Sequence, residues 1–270
     1  MRAELFQNAW GCLIEASVEK KLVCVQGLVS AWHLSQIAID HDAHCRSLSR
    51  AGLPQRLQLV HPAKVARRRL GTKEGRIALL HAVAHIEFSA INLALDAVYR
   101  FRNMPIAYYG DWLRVAAEEC YHFNMVRQQL RLMGSDYGDL PAHHGLWDVA
   151  EYSDSDVLNR MALVPRVLEA RGLDVTPAMI ERVTDAGDTQ FADILRIILR
   201  DEIRHVRTGS EWFKYICHER NLDSTSTFDT ILQKYMKDLN AHINGPFHTA
   251  ARLQAGFTQT EINNLQHESQ

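Results

Sequence analysis

Two tetrapeptides of one form, Glu119-Cys-Tyr-His122 and Glu202-Ile-Arg-His205, constrain this chain more than any other feature. Each follows another glutamate at nearly the same distance. Glu87 stands 32 residues before Glu119, and Glu169 stands 33 before Glu202. On a helix, three residues advance about 300°, so the Glu and His of each motif emerge one turn apart on nearly the same face. A single copy reads as a solvated i,i+3 pair on a helix surface. Two copies in apolar surroundings, each with an upstream glutamate, describe an internal two-fold repeat. Each half is a helix with Glu, a connection, and a helix with Glu-x-x-His.

Four glutamates converging in an apolar interior would repel one another, and an uncompensated buried carboxylate is very costly. Two divalent cations cancel that charge. Glu87, Glu119, His122, Glu169, Glu202 and His205 are therefore the expected ligands of a two-metal centre. Oxygen-rich ligation with one nitrogen per metal suits iron best, with manganese or a mixed Mn/Fe pair as alternatives. The scheme is a Glu from each of two helices plus Glu-x-x-His from each of two others, as in ferritin-like bundles.

The rest of the chain fits such a bundle. Only 14 Gly and 7 Pro punctuate 270 residues, and apolar residues recur three and four apart, so an all-α fold with long helices is expected. Helical patterns run over about 3–42 (one or two helices), 73–102, 106–133, 154–171 and 188–219, with shorter ones in the tail. Ser153 or Ser155 can cap the third long helix, and Gly172 with Pro177 should interrupt it. Thr258 and Glu261 have the spacing of a capping box. Residues 135–152 read as a long crossover loop. Three parts are expected: a helical extension and basic connector over 1–70, the four-helix bundle over 71–220, and a helical tail over 221–270.

Thirty basic against thirty-two acidic residues leave no global charge to attract nucleic acid or an anionic membrane. No apolar stretch is expected to span a bilayer, and the N-terminus lacks the form of a secretion signal, so the expected location is cytoplasmic. Five scattered cysteines without a Cys-x-x-Cys speak against a disulfide scaffold, a zinc ribbon or a rubredoxin module.

Several residues around the motifs carry two readings. Glu118 and Asp201 precede the paired glutamates, and each can accept the free N–H of the opposite histidine, Glu118 from His205 and Asp201 from His122. The alternative for both is solvent. His85 stands one turn from His81, but about 160° around the helix from Glu87. It reads as a core histidine or a support to the ligands. Tyr121 can gate oxygen or hold a radical, or pack against another helix. His143, His144 and Trp147 can line a substrate pocket, with Trp packing and solvated histidines as the plainer alternative. Arg67, Arg68 and Arg69 head the only basic cluster, either a phosphate contact or a solvated or subunit-contacting face.

With these residues in view, the chain resembles the ferritin-like dimetal-carboxylate superfamily. More closely it resembles the family catalogued as domain of unknown function 455. The matching stretches are 76–101, Asp111-Trp-Leu-Arg-Val-Ala-Ala-Glu-Glu, Tyr137-Gly-Asp-Leu-Pro-Ala-His-His-Gly-Leu-Trp147, Glu169-Ala-Arg-Gly-Leu-Asp174 and Asp201-Glu-Ile-Arg-His-Val206. The resemblance implies a ferritin-like antiparallel bundle and the six ligands above, without a settled substrate. The expected function is a non-haem diiron oxidoreductase that uses O2 to hydroxylate or oxidise a small organic or nucleoside substrate. Electrons would come from an external donor, and a homodimer is possible. The alternatives are a ferroxidase or peroxide scavenger without organic substrate, and a non-catalytic helical protein.

Overall fold

The computed structural model describes residues 3–65 and 70–268. Among the described residues the chain is all-α apart from two dipeptide strands, β1 (Ala3–Glu4) and β2 (Ile37–Ala38), paired in parallel. It divides into two compact units, Met1–Glu151 and Tyr152–Gln270. The division falls in the crossover, between the two halves of the repeat.

In the first unit, α1 (Leu5–Ile14), α2 (Val18–His33), α3 (Lys73–Arg100) and α4 (Ile106–Leu132) are the main helices. The starts of α1, α2 and α3 are set by side chains that satisfy orphan N–H groups. Glu4 accepts from Phe6 and Gln7, Ser17 from Lys20, and Thr72 from Gly75. Pro105 precedes α4 and Gly134 follows it with φ +86°. Helix α3 packs along α4 and against α1, while α2 packs on α4. Leu80, Ala84, Phe88, Ile91, Leu95 and Val98 bury one face of α3, and Leu113, Ala116, Phe123 and Leu130 answer from α4. Each large apolar side chain buried this way stabilises the fold by roughly 1.5–3 kcal/mol.

Two expectations change here. Helix α3 contains an 18-residue window of mean hydropathy 1.5, apolar and long enough by composition to cross a bilayer. Two thirds of that window (67%) is buried inside the fold, which accounts for its apolarity. Cys12 and Cys24 form a disulfide between α1 and α2, although the scattered spacing gave no sign of a bridge. Lys21, fully buried one turn before Cys24, donates to Cys12 O, Leu13 O and Asn92 Oδ1 at 2.9, 2.9 and 2.7 Å. It thereby closes the C-terminal end of α1 and ties it to α3. Burial pushes Lys21 down to about 7, while three acceptors around Nζ match the three N–H bonds of an ammonium.

Among its described residues the connector after β2 holds a 3-10 turn at Pro62–Lys64 and a β-bridge from Leu59 to Ala142. Arg67, Arg68 and Arg69 lie outside the described residues. The crossover is not a loop throughout, because α5 (Gly145–Tyr152) occupies its second half.

The second unit opens with α6 (Val157–Leu163), a π-helical segment (Val164–Glu169) and α7 (Ala170–Asp185), which follow one another without a break. The expected stop near Arg171 does not occur, and Gly172 and Pro177 lie inside α7. A proline in a helix costs about 3 kcal/mol, and α7 offsets that by burying Ala170, Leu173, Thr176 and Val183. Asp156, not Ser153 or Ser155, caps α6 by accepting from Leu158 N, while the Ser153 hydroxyl accepts from Arg160 Nε. Helix α8 (Thr189–Glu219), capped by Asp188, packs on α7 and on the π segment. The tail forms α9 (Ser224–Leu239), α10 (Thr249–Gln254) and α11 (Gln259–Glu268). The capping box is present: Thr258 N donates to Glu261 Oε2 at 2.8 Å and Glu261 N to Thr258 Oγ1 at 3.2 Å.

Candidate metal centre

Helices α3 and α4 place Glu87, Glu119 and His122 together in the interior of the first unit. Glu119 and His122 are fully buried and Glu87 is 3% exposed. His122 Nδ1 lies 3.3 Å from Glu87 Oε2 and 3.4 Å from Glu119 Oε2. One ligand atom from each of the three residues lies within 4.8 Å of the others, the spacing of a shared cation. The i,i+3 relation in α4 brings Glu119 and His122 to one face, and the packing of α3 on α4 brings Glu87 to the same place.

The electrostatics of this trio ask for positive charge. Burial pulls an imidazole down, but hydrogen bonds and charge from Glu119 and Glu87 overcome it and hold His122 up at about 11. The two buried carboxylates thus draw positive charge onto the imidazole between them. A divalent metal would take that place and displace the proton, because a ligating histidine must be neutral. The donor set therefore fits a hard divalent ion.

In the second unit, α8 brings Glu202 and His205 to one face, with His205 Nδ1 3.8 Å from Glu202 Oε2 and both side chains largely buried. Glu169 ends the π-helical segment and is half-buried. A π segment widens the helix by one residue, so it turns every following side chain relative to an α-helical continuation, and such segments are frequent at functional sites. Gly209 of α8 permits it. A Cβ there would overlap the ring of Pro165, the second residue of the segment.

Arg166, also in the segment, is fully buried and paired with Glu261 at 2.8 Å. Its guanidinium lies 4.7, 4.1 and 4.5 Å from the rings of Phe213, Phe228 and Phe257. Arg252 pairs with Asp174 at 2.7 Å and shares Phe257. Sequence reasoning missed both pairs. The available signal was an arginine inside the apolar run Leu163-Val-Pro-Arg-Val-Leu168.

The accompanying residues divide. Asp201 is buried and held by Arg200 at 2.9 and 3.1 Å and by Arg204 at 2.9 Å. Glu118 is half-buried on α4. Tyr121 is 54% exposed, so it is not the core residue its helical position suggested.

His85 hydrogen-bonds the crossover, not the ligands. Its Nε2 donates to His143 O at 2.9 Å, so the neutral ring accepts at Nδ1 from the Tyr137 hydroxyl at 2.9 Å. His81 Nε2 accepts from Gly138 N at 2.9 Å. Burial pushes both histidines down to about 4, which keeps them neutral and suits these roles. Trp147 is buried, with Nε1 donating to Ser49 O at 3.1 Å, and His143 and His144 are half-buried beside it. Tyr137, quoted in the sequence only as the start of a matching stretch, is buried among Phe88, Phe123 and His81.

A family model described as protein of unknown function (DUF455) matches residues 14–263. The chain belongs to the DUF455 family. All six candidate ligands lie inside the matched span. Within reach of this DUF455 chain is an uncharacterised protein of Haemophilus influenzae, 48% identical over 219 residues that cover 78% of this chain and 75% of that one. No solved structure matches this chain significantly.

Proposed function

We propose that this DUF455 protein is a non-haem dimetal oxidoreductase. Its ligands are Glu87, Glu119, His122, Glu169, Glu202 and His205, set in a ferritin-like bundle of the helices that bear them. The observation that carries the reading is the trio of Glu87, Glu119 and His122, two carboxylates and an imidazole buried together around one point. The repeat of the same residue types at nearly the same spacing in the second unit supports a second ion. The π segment that ends at Glu169 supports a functional reason for its placement.

When bound, two iron or manganese ions would supply O2 activation for oxidation of a small organic substrate, with electrons from an external donor. The protein's own residues then have defined tasks. Glu119 and His122 hold their donor atoms a turn apart on α4, Glu87 closes the set from α3, and the buried apolar faces of α3 and α4 exclude bulk water. Asp201 and Glu118 are the proposed acceptors for the second ring nitrogens of the ligating histidines.

Elemental mass spectrometry of the native protein beside Glu119→Ala tests the reading. About two Fe or Mn per chain is expected from the ligand scheme, with a clear loss in the variant. A folded protein that takes up no metal after anaerobic Fe(II) loading would leave only a structural role for these residues. Repeated Fe(II) oxidation at a loaded site, without any organic substrate, would instead mark a metal-handling protein.

A further inference from the structure

The face of α3 turned away from Glu87 borders a cavity that the metal ligands do not use. Its volume is about 20 Å³, more than the ~10–15 Å³ that a water needs. Ser89 and Asn92 of α3 line it, with His143, His144 and Trp147 from the crossover. Ser89 and Asn92 stand about 160° and 140° around the helix from Glu87.

Asn92 is 2% exposed, and its orientation is fixed by chemistry. As an ammonium among three acceptors, Lys21 Nζ only donates, so the oxygen Oδ1 faces it at 2.7 Å. The two Nδ2 hydrogens then point away from Lys21, and among the described residues none accepts them. These hydrogens are available to an acceptor bound in the cavity. His143 adds a second donor. Its Nδ1 accepts from Gly145 N at 3.2 Å, so the neutral ring carries its proton on Nε2. Among the described residues, no carboxylate side chain lines the cavity. Behind Asn92 stands the Lys21 nitrogen, surrounded by three acceptors.

We propose that this cavity binds the carboxylate group of a small organic acid, with Asn92 Nδ2 and His143 Nε2 donating to its oxygens. The Lys21 ammonium polarises the Asn92 amide from behind and selects an anion over a neutral carbonyl. The absence of acidic lining leaves nothing to bind a cation. The site stands on the first unit alone and does not depend on the metal centre.

The test is NMR titration of the full-length, 15N-labelled protein with sodium acetate, against sodium chloride at matched ionic strength and against acetamide. Saturable shifts of the Asn92 side-chain amide and the Trp147 indole are expected with acetate and not with chloride, with acetamide at least tenfold weaker. Asn92→Asp keeps an oxygen toward Lys21 and replaces the donor by an acceptor. It should weaken acetate at least tenfold, read at the Trp147 indole. If that variant does not fold, His143→Phe carries the same expectation. In Glu119→Ala the acetate response should persist. The proposal is overturned by a response that chloride reproduces, by equal affinity for acetamide, by unchanged affinity in both Asn92→Asp and His143→Phe, or by loss of the response in Glu119→Ala.

Discussion

His81 and His85 have the i,i+4 spacing of a metal-binding pair, yet both rings are spent on the crossover. His81 takes the Gly138 N–H, and His85 bridges Tyr137 and His143. The angular distance of His85 from Glu87 already argued against a shared ion, but the partner loop was invisible until the chain folded. His81 carries a consequence for stability. Burial lowers it from 6.5 to about 4 in the folded protein, so between those pH values the unfolded chain binds more protons. Its contribution is therefore present above about pH 6.5 and is lost as pH falls toward 4, by up to roughly 3 kcal/mol. His81→Gln keeps an acceptor near Gly138 and cannot titrate. Urea unfolding at pH 7.5, 5.5 and 4.2 should show a shallower acid loss in the variant than in the native protein. Parallel losses would remove His81 from the account.

At the scale of elements, the third long helix shows where periodicity stops being informative. Its apolar spacing reads as an α-helix, and a one-residue π expansion at Val164–Glu169 leaves no mark in such a pattern. What holds the expansion comes from distant parts of the chain: the bare Gly209 on α8, the three Phe rings around Arg166, and Glu261 from the capping box of α11. Gly209→Ala should collide with Pro165 and cost about 1–3 kcal/mol by overpacking. It should also lower metal content, because Glu169 sits at the end of the displaced segment. Thermal denaturation together with elemental analysis checks both effects. A normal melting temperature would show that the segment relaxes freely, and normal metal content would separate Glu169 from it. The long helices α3, α4 and α8 were legible in advance to within one or two residues. Their caps and apolar stripes are local properties of contiguous sequence.

Across the whole molecule, the Cys12–Cys24 bridge is the feature that composition misjudged. Cysteine spacing identifies metal motifs well, but a single bridge depends on two helices turning back on each other. Here α1 and α2 do so around Ser17 and the buried Lys21. Disulfides are rare where thiols are kept reduced, so this link bears directly on the expected compartment. Closing a loop of this size stabilises by about 3 kcal/mol in the chain-entropy account. Urea unfolding with and without a reductant should show that loss in the native protein, and Cys24→Ser should show it without any reductant response. Reductant insensitivity of the native protein would argue against a bridge in solution.

The sequence by itself determined the helical class, the main helix boundaries and the residue types of the candidate ligands. These follow from periodicity, capping and i,i+3 spacing, which are properties of short contiguous stretches. Only the tertiary structure decided that Glu87 joins Glu119 and His122 at one point, and that Glu169 lies on a π-helical turn. It also decided that Lys21, Arg166 and Arg252 are buried with their partners. Each of these depends on groups 30 to 95 positions apart in sequence, such as Glu87 and His122 or Arg166 and Glu261. A buried charge is tolerable only once another segment supplies its counter-charge or, as for Lys21, its hydrogen-bond acceptors, and no local pattern encodes that meeting.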